Sequence, residues 1–247
     1  MATRIGVDVG GSGVKAGVVD TEAGKLVSDR LRVDTPEPST PSAVVAVVKE
    51  LVERLDEPGT VGIGFPSVIR HGLIYTANNI DLSWIGVNAL EMFQEATGRE
   101  VRLLNDADAA GLAESRFGVA KDVAGVVLVL TFGTGIGSAV LLDGKLVPNT
   151  EAGQLELNGA RPAEQRYSAK ARRIENLSWD EWGERAREFI ILANDVFNPD
   201  LIVIGGGVSK FWDEFATHVT FDDIDTRRAA LANNAGIIGA AAMAFSD

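Results

Sequence analysis

One segment of this chain occurs twice, and that repeat limits what the chain can fold into more than any other feature. Leu130 to Asp143, LTFGTGIGSAVLLD, lies without a gap over Val7 to Asp20, VDVGGSGVKAGVVD, when shifted back by 123 positions; Gly133 falls on Gly10, Ala139 on Ala16 and Asp143 on Asp20. The echo continues into Gly24-Lys25-Leu26-Val27 and Gly144-Lys145-Leu146-Val147. Each copy reads as strand, glycine turn, strand and second turn, so the chain is expected to be two related half-molecules. Without a Cβ, Gly10, Gly11, Gly133 and Gly135 can take positive φ and bring backbone N–H groups up to an anion such as phosphate. Asp8 is placed to bind Mg²⁺ directly or through water. The plain alternative is a pair of ordinary glycine hairpins.

The 247 residues, 46% hydrophobic and 23% charged, are enough for two modest domains. Absence of cysteine removes disulfides, thiolate zinc sites and cysteine nucleophiles, and suits a reducing cytoplasm. Met1 to Arg4 run straight into a strand and no apolar run reaches membrane-spanning length, so a soluble, cytoplasmic protein is expected. A net charge of −12 argues against a general nucleic-acid binder. One basic segment stands out: RPAEQRYSAKARR holds Arg161, Arg166, Lys170, Arg172 and Arg173 against Glu164 alone. It reads either as a solvated helix face or as an anion site.

Along the chain, Arg4–Val9 is expected as a central strand, followed by a meander through Arg32, with Lys15 either reaching a phosphate or merely solvated. The turn-rich link Thr35 to Pro41 leads to a helix from Ser42 to about Leu55, capped by Thr40 or Ser42. Val61 to Pro66 reads as a buried strand, and His71 to Ile74 as a hairpin with His71 in a surface turn. The amide-rich loop from Asn78 to Asn88, around Trp84, suits either a sugar or a loop packed by its tryptophan. The strand Val101 to Leu104 ends in Asn105-Asp106-Ala107-Asp108; Asp106, nearer the strand end, is the expected base and Asp108 the helix cap. Glu151 and Gln154 either share a ligand or lie in a solvated turn. Trp182, Ala186, Phe189, Ile190 and Ala193 form a core-facing stripe of a helix from Trp179 to Val196. A third glycine turn, Gly205-Gly206-Gly207, follows the strand Leu201 to Ile204, and the small-residue stretch Ala232 to Ala244 suits a tightly packed helix.

These stretches together resemble the sugar kinases of the ROK family, in the actin-like ATPase superfamily, and most closely its actinobacterial branch of glucokinases that use inorganic polyphosphate. The carrying segments are Asp8 to Lys15, Thr35 to Pro41, Ser83 to Gly86, Leu104 to Gly111, Leu130 to Ala139, Pro148 to Glu151 and Gly205 to Ser209. The resemblance implies an α/β fold of two RNase H-like domains with a cleft between them: residues 1–108, with a C-terminal helix 233–247 packing back on them, and residues 109–232. It implies transfer of a phosphoryl group from polyphosphate, and possibly ATP, to the 6-hydroxyl of glucose, with Asp106 as base. The implied sugar contacts are Asn79, Asn105, Asp106, Glu151, Gln154 and Glu156. Gly10, Gly11, Ser12, Lys15, Thr134, Gly135, Gly206 and Gly207 are the implied phosphate contacts, and Asp8 the residue for Mg²⁺. A homodimer without nucleic-acid or membrane partners is expected. Two positions depart from the family's pattern: Gln154 stands where histidine is usual, and Ser67 where glycine is usual. Both bear on the sugar, which keeps an ATP-dependent kinase for another hexose such as mannose, or a non-catalytic sugar-binding relative, as alternatives.

Overall fold

A computed structural model describes residues 2–245; Met1 and residues 246–247, the end of the expected C-terminal helix, lie outside the described residues. The chain divides into two compact units, the first made of residues up to Ala113 together with those from Asn234 on, the second of Glu114–Asn233.

In the first unit β1 (Thr3–Gly10), β2 (Gly13–Asp20), β3 (Lys25–Leu26) and β4 (Leu31–Val33) precede α1 (Pro41–Leu55) and β5 (Val61–Phe65). A small hairpin, β6 (Ile69–Arg70) with β7 (Leu73–Ile74), turns at exposed His71, which takes φ 52°. Then come α2 (Ala89–Thr97), closed by left-handed Gly98, β8 (Val101–Asn105) and α3 (Asp106–Phe117). The sheet runs β3-β2-β1-β5-β8, with β4 also on β2. β1, β5 and β8 are parallel to one another, and β1 to β3 form the antiparallel meander expected from the repeat. β5 is buried at every residue, as a strand covered on both faces must be.

The second unit repeats this plan. β9 (Val126–Phe132), β10 (Ile136–Leu142) and β11 (Lys145–Val147) form its meander; α4 (Glu164–Tyr167), α5 (Ala169–Ile174) and α6 (Trp179–Phe197) follow, then β12 (Leu201–Gly206), α7 (Trp212–Val219) and β13 (Thr226–Arg228). The order β11-β10-β9-β12-β13 matches the first sheet strand for strand. β9 starts at Val126, after Gly125 takes φ 82° and the Gly125 and Val126 amides donate to Asp143 and Asp200. α6 carries a capping box, Ser178 with Glu181, and buries the predicted stripe.

Each unit has an aromatic core. Phe65, Trp84 and Phe93 pack together in the first, where Trp84 is fully buried and its indole N–H donates to Ser39 O at 2.9 Å. Its loop is therefore the packed kind. Phe132, Trp182, Phe189 and Phe215 fill the second, with the Trp182 N–H donating to Tyr167 O. Burial of one such side chain is worth about 1.5–3 kcal/mol. The last helix, α8 (Ala235–Phe245), lies on the first unit's sheet, where Gly6 and Gly62 leave room for the Ile237 and Ala240 carbonyls to touch the strands.

Candidate active site

In the first unit the two-residue turn Gly11-Ser12 pairs Gly10 with Gly13 and sets Asp8 opposite Lys15. The Lys15 ammonium meets the Asp8 carboxylate at 2.8 Å, both half-buried or less exposed. Lys15 is thus engaged by Asp8 rather than merely solvated. β4 and the link after it brace the turn from outside: Thr35 Oγ1 donates to Gly10 O at 2.6 Å, and Arg32 in β4 to Ser12 O at 3.1 Å. Gly236, in the first turn of α8, lies so close to Asp8 that a Cβ there would stand 2.8 Å from its Cγ.

The end of β8 supplies the carboxylate. Asn105, buried, accepts the Ala107 and Asp108 amides at 2.8 and 3.1 Å. Asn105 is therefore the N-cap of α3, and the cap expected at Asp108 is corrected: the helix begins three residues earlier, at Asp106, leaving Asp108 buried in its first turn. The Asn105 Nδ2 donates to Ser67 O at 3.1 Å, which leaves one amide hydrogen for a ligand. Ser67, one of the two departures, is buried and its hydroxyl has no partner among the described residues. Asp106 accepts the Ala107 amide at 2.8 Å. Burial, then the negative charge of Asp8, push its carboxyl up to about 7, against the opposing pull of that amide and of Lys15. Asn79 sits half-buried beyond β7.

In the second unit three residues, Gly133-Thr134-Gly135, separate β9 from β10, and the Gly133 amide donates to Gly135 O at 2.9 Å. The positive φ expected at Gly10 and Gly133 is absent; the left-handed region is used instead at Gly206, φ 82°, where a Cβ would stand 2.5 Å from Phe132 O. Ser209 Oγ donates to Gly206 O and closes that third turn, and Gly207 is exposed.

Glu151 is strapped by a residue the sequence did not single out. Ser138, fully buried on β10, donates to Thr150 O at 2.9 Å and accepts the Ala152 amide at 2.9 Å, while Thr150 Oγ1 donates back to Ser138 O. Both neighbours of Glu151 are thereby fixed to the strand leaving the glycine loop. Glu164 was missed too: it accepts Gln154 Nε2 at 3.1 Å through one oxygen and the Ile136 amide at 3.0 Å through the other. It joins the Gln154 departure to the glycine loop. Its only sequence signal was being the lone acid of the basic segment. Glu156 is exposed, 3.8 Å from Arg161.

The ROK family's sequence profile matches residues 4–154, a span that holds both glycine segments and Asn105-Asp106. The chain belongs to the ROK family. It is 43% identical over 243 residues to a polyphosphate glucokinase of Mycobacterium tuberculosis, covering 98% of this chain and 91% of that protein. The crystal structure of inorganic polyphosphate/ATP-glucomannokinase from Arthrobacter sp. strain KM superposes with a TM-score of 0.95 at 43% identity, over 99% of this chain and 98% of that one. A ROK family glucokinase from Streptomyces griseus, 24% identical, shares the fold with a TM-score of 0.85, over 97% and 98%. As in other ROK sugar kinases, the fold is that of the actin-like ATPases. Among the described residues no helix is long and apolar enough to cross a membrane, and no group of three or more His, Asp or Glu residues could hold a metal ion.

Proposed function

We propose that this ROK-family chain is a sugar kinase that transfers the terminal phosphoryl group of inorganic polyphosphate, or of ATP, to the 6-hydroxyl of glucose. The observation that carries the reading is Asp106: a carboxylate at a strand-to-helix junction, held near neutrality by burial and by Asp8. A base of that strength takes a hydroxyl proton best when its own pKa lies near the working pH. The likeness to a polyphosphate glucokinase and to a polyphosphate/ATP-glucomannokinase supports the donor and the acceptor.

Asp106 accepts the proton of the 6-hydroxyl as that oxygen bonds to the terminal phosphorus. The bond from phosphorus to the bridging oxygen breaks, giving glucose 6-phosphate and a polyphosphate one unit shorter, or ADP. Asn105, with its remaining amide hydrogen, and Asn79, Glu151 and Gln154 hold the sugar hydroxyls. The loops at Gly10 to Ser12, Thr134-Gly135 and Gly206-Gly207 offer backbone N–H groups to the phosphates. A single accessible carboxylate, Asp8, fits Mg²⁺ of the kind that arrives with phosphates and keeps several waters, and such an ion would neutralise charge developing on the transferred group. Lys15 would then pass from Asp8 to a donor oxygen.

The test is glucose 6-phosphate formation with Mg²⁺, offering polyphosphate and ATP in parallel and mannose as second acceptor. The Arthrobacter relative's name as a glucomannokinase, with Ser67 and Gln154, makes mannose the competitor to include. Turnover of glucose with polyphosphate is expected; failure of both donors with glucose would overturn the reading.

A further inference from the structure

We propose that the exposed basic face of α4 and α5 is a binding track for the distal phosphates of a long polyphosphate, continuing from the second glycine loop. The inference rests on the reading of polyphosphate as donor. The two helices are joined to both ends of that loop: the Lys170 amide donates to Gly133 O at 3.1 Å, and Glu164 accepts the Ile136 amide at 3.0 Å. A linear polyanion leaving the loop therefore meets this segment first.

Lys170 and Arg173 form no ion pair among the described residues, whereas Arg161 lies 3.8 Å from Glu156. Arg161, Arg166, Lys170 and Arg173 are exposed. Glu164, the acid that would offset them, has both oxygens committed to Gln154 and Ile136. Glu175, just beyond α5, is occupied by Arg185 through two bonds of 2.9 and 2.6 Å. Lys170 and Arg173 stand three residues apart on one helix and so share a face. Arg172 points elsewhere: its guanidinium lies 3.7 Å from the Trp179 ring centroid and its Nε is buried, which makes it the pin that fixes α5 rather than part of the track. A positive face on a chain of net charge −12 selects for a ligand that is itself a dense, extended anion. ATP ends in a nucleoside after three phosphates and offers nothing to the far end of such a track.

The experiment compares wild type with Lys170→Gln/Arg173→Gln, using long-chain polyphosphate, tripolyphosphate and ATP as donors. A surface control, Lys49→Gln/Arg54→Gln, removes the same charge from α1, far along the chain. The track predicts a rise of about tenfold in the KM for long-chain polyphosphate, with a shallower dependence on ionic strength. KM for ATP and tripolyphosphate stays within about twofold, as does every KM of the control. Equal losses for long chains and ATP, or no loss for either, would overturn the track. Wild-type turnover with ATP but none with polyphosphate would overturn the donor reading instead. Equilibrium binding of long-chain polyphosphate then decides the track separately: weaker binding by the double variant upholds it, and equal or absent binding sinks it.

Discussion

The two glycine hairpins coincide in sequence and differ in structure by one residue. In the first, two residues turn the chain and Asp8 faces Lys15; in the second, three residues turn it, so Thr131, the counterpart of Asp8, faces Gly137, and Ser138, the counterpart of Lys15, faces Leu130. A slip of one residue carries a side chain to the other face of the strand. Lys15 is accordingly half-buried and pairs with a carboxylate, whereas Ser138 is buried and holds the backbone around Glu151. One half-molecule has thus kept charge beside its turn and the other has turned the same slot into a brace. Under the proposed function, this division would leave proton chemistry to the first unit and the positioning of Glu151 to the second.

The largest break in this comparison comes from Asp106, whose carboxyl feels Asp8. Asp106→Asn is expected to lower kcat by about 10²–10⁴-fold with the fold intact. In the wild type, kcat/KM should fall as pH drops through about 7, where the base becomes protonated. Stability carries the opposite sign. A carboxyl whose folded pKa is raised binds its proton more tightly in the native state, so the metal-free protein loses stability as pH rises from the unfolded value towards about 7. Asp106→Asn escapes that loss, and its gain in melting temperature over wild type should be larger at pH 8 than at pH 5. A mutant with near wild-type turnover, or one less stable at pH 8, would refute the assignment.

Next in size is Ser138→Ala, which strands the Ala152 amide and the Thr150 carbonyl at a cost of about 1–3 kcal/mol per unsatisfied group. If that brace sets Glu151, the KM for glucose rises about tenfold while the KM for the donor holds, and Thr150→Ser behaves as wild type. A lower melting temperature with unchanged glucose KM would make Ser138 purely structural. Lys15→Met should weaken use of the donor and also move the pH profile: without the ammonium, Asp8 repels the Asp106 charge unopposed, and the acid limb of kcat/KM moves to higher pH. An unmoved limb would mean that Lys15 does not reach Asp106.

The strands and the long helices were legible in the sequence because each had a pattern to read, a short apolar run closed by Pro66 at β5 and a helical stripe in α6. The meander of each unit followed from recognising the repeat. What stayed hidden was contact chemistry that periodicity does not encode. The gapless overlay concealed the change of register, since glycine and threonine satisfy two- and three-residue turns alike. Asn105 and Asp108 are both good capping residues, and only the point where β8 stops pairing decides between them. Glu164 was submerged in a basic segment, although its carboxylate faces Gln154 and the glycine loop. Arg172, counted there as a free charge, belongs to Trp179.

The smallest effects test the glycines themselves, and here the overlaid pair Gly10 and Gly133 should part company. A Cβ on Gly10 would sit 3.2 Å from Gly13 O, against the backbone of its own turn, whereas a Cβ on Gly133 meets nothing within 4 Å among the described residues; neither residue is in the left-handed region. Replacing a glycine by alanine where the backbone and the space allow it stabilises by about 0.4–1 kcal/mol through the unfolded chain. Gly133→Ala should therefore raise the denaturation midpoint slightly and Gly10→Ala should not. If the fold does not need glycine at 133, the reason for it lies in what approaches the loop. The same Gly133→Ala variant should then show a raised KM for polyphosphate and ATP alike, because the added methyl stands where a phosphate must come close to the backbone. A stabilised variant with unchanged donor KM would place the phosphates elsewhere, and would leave the two hairpins alike only in sequence.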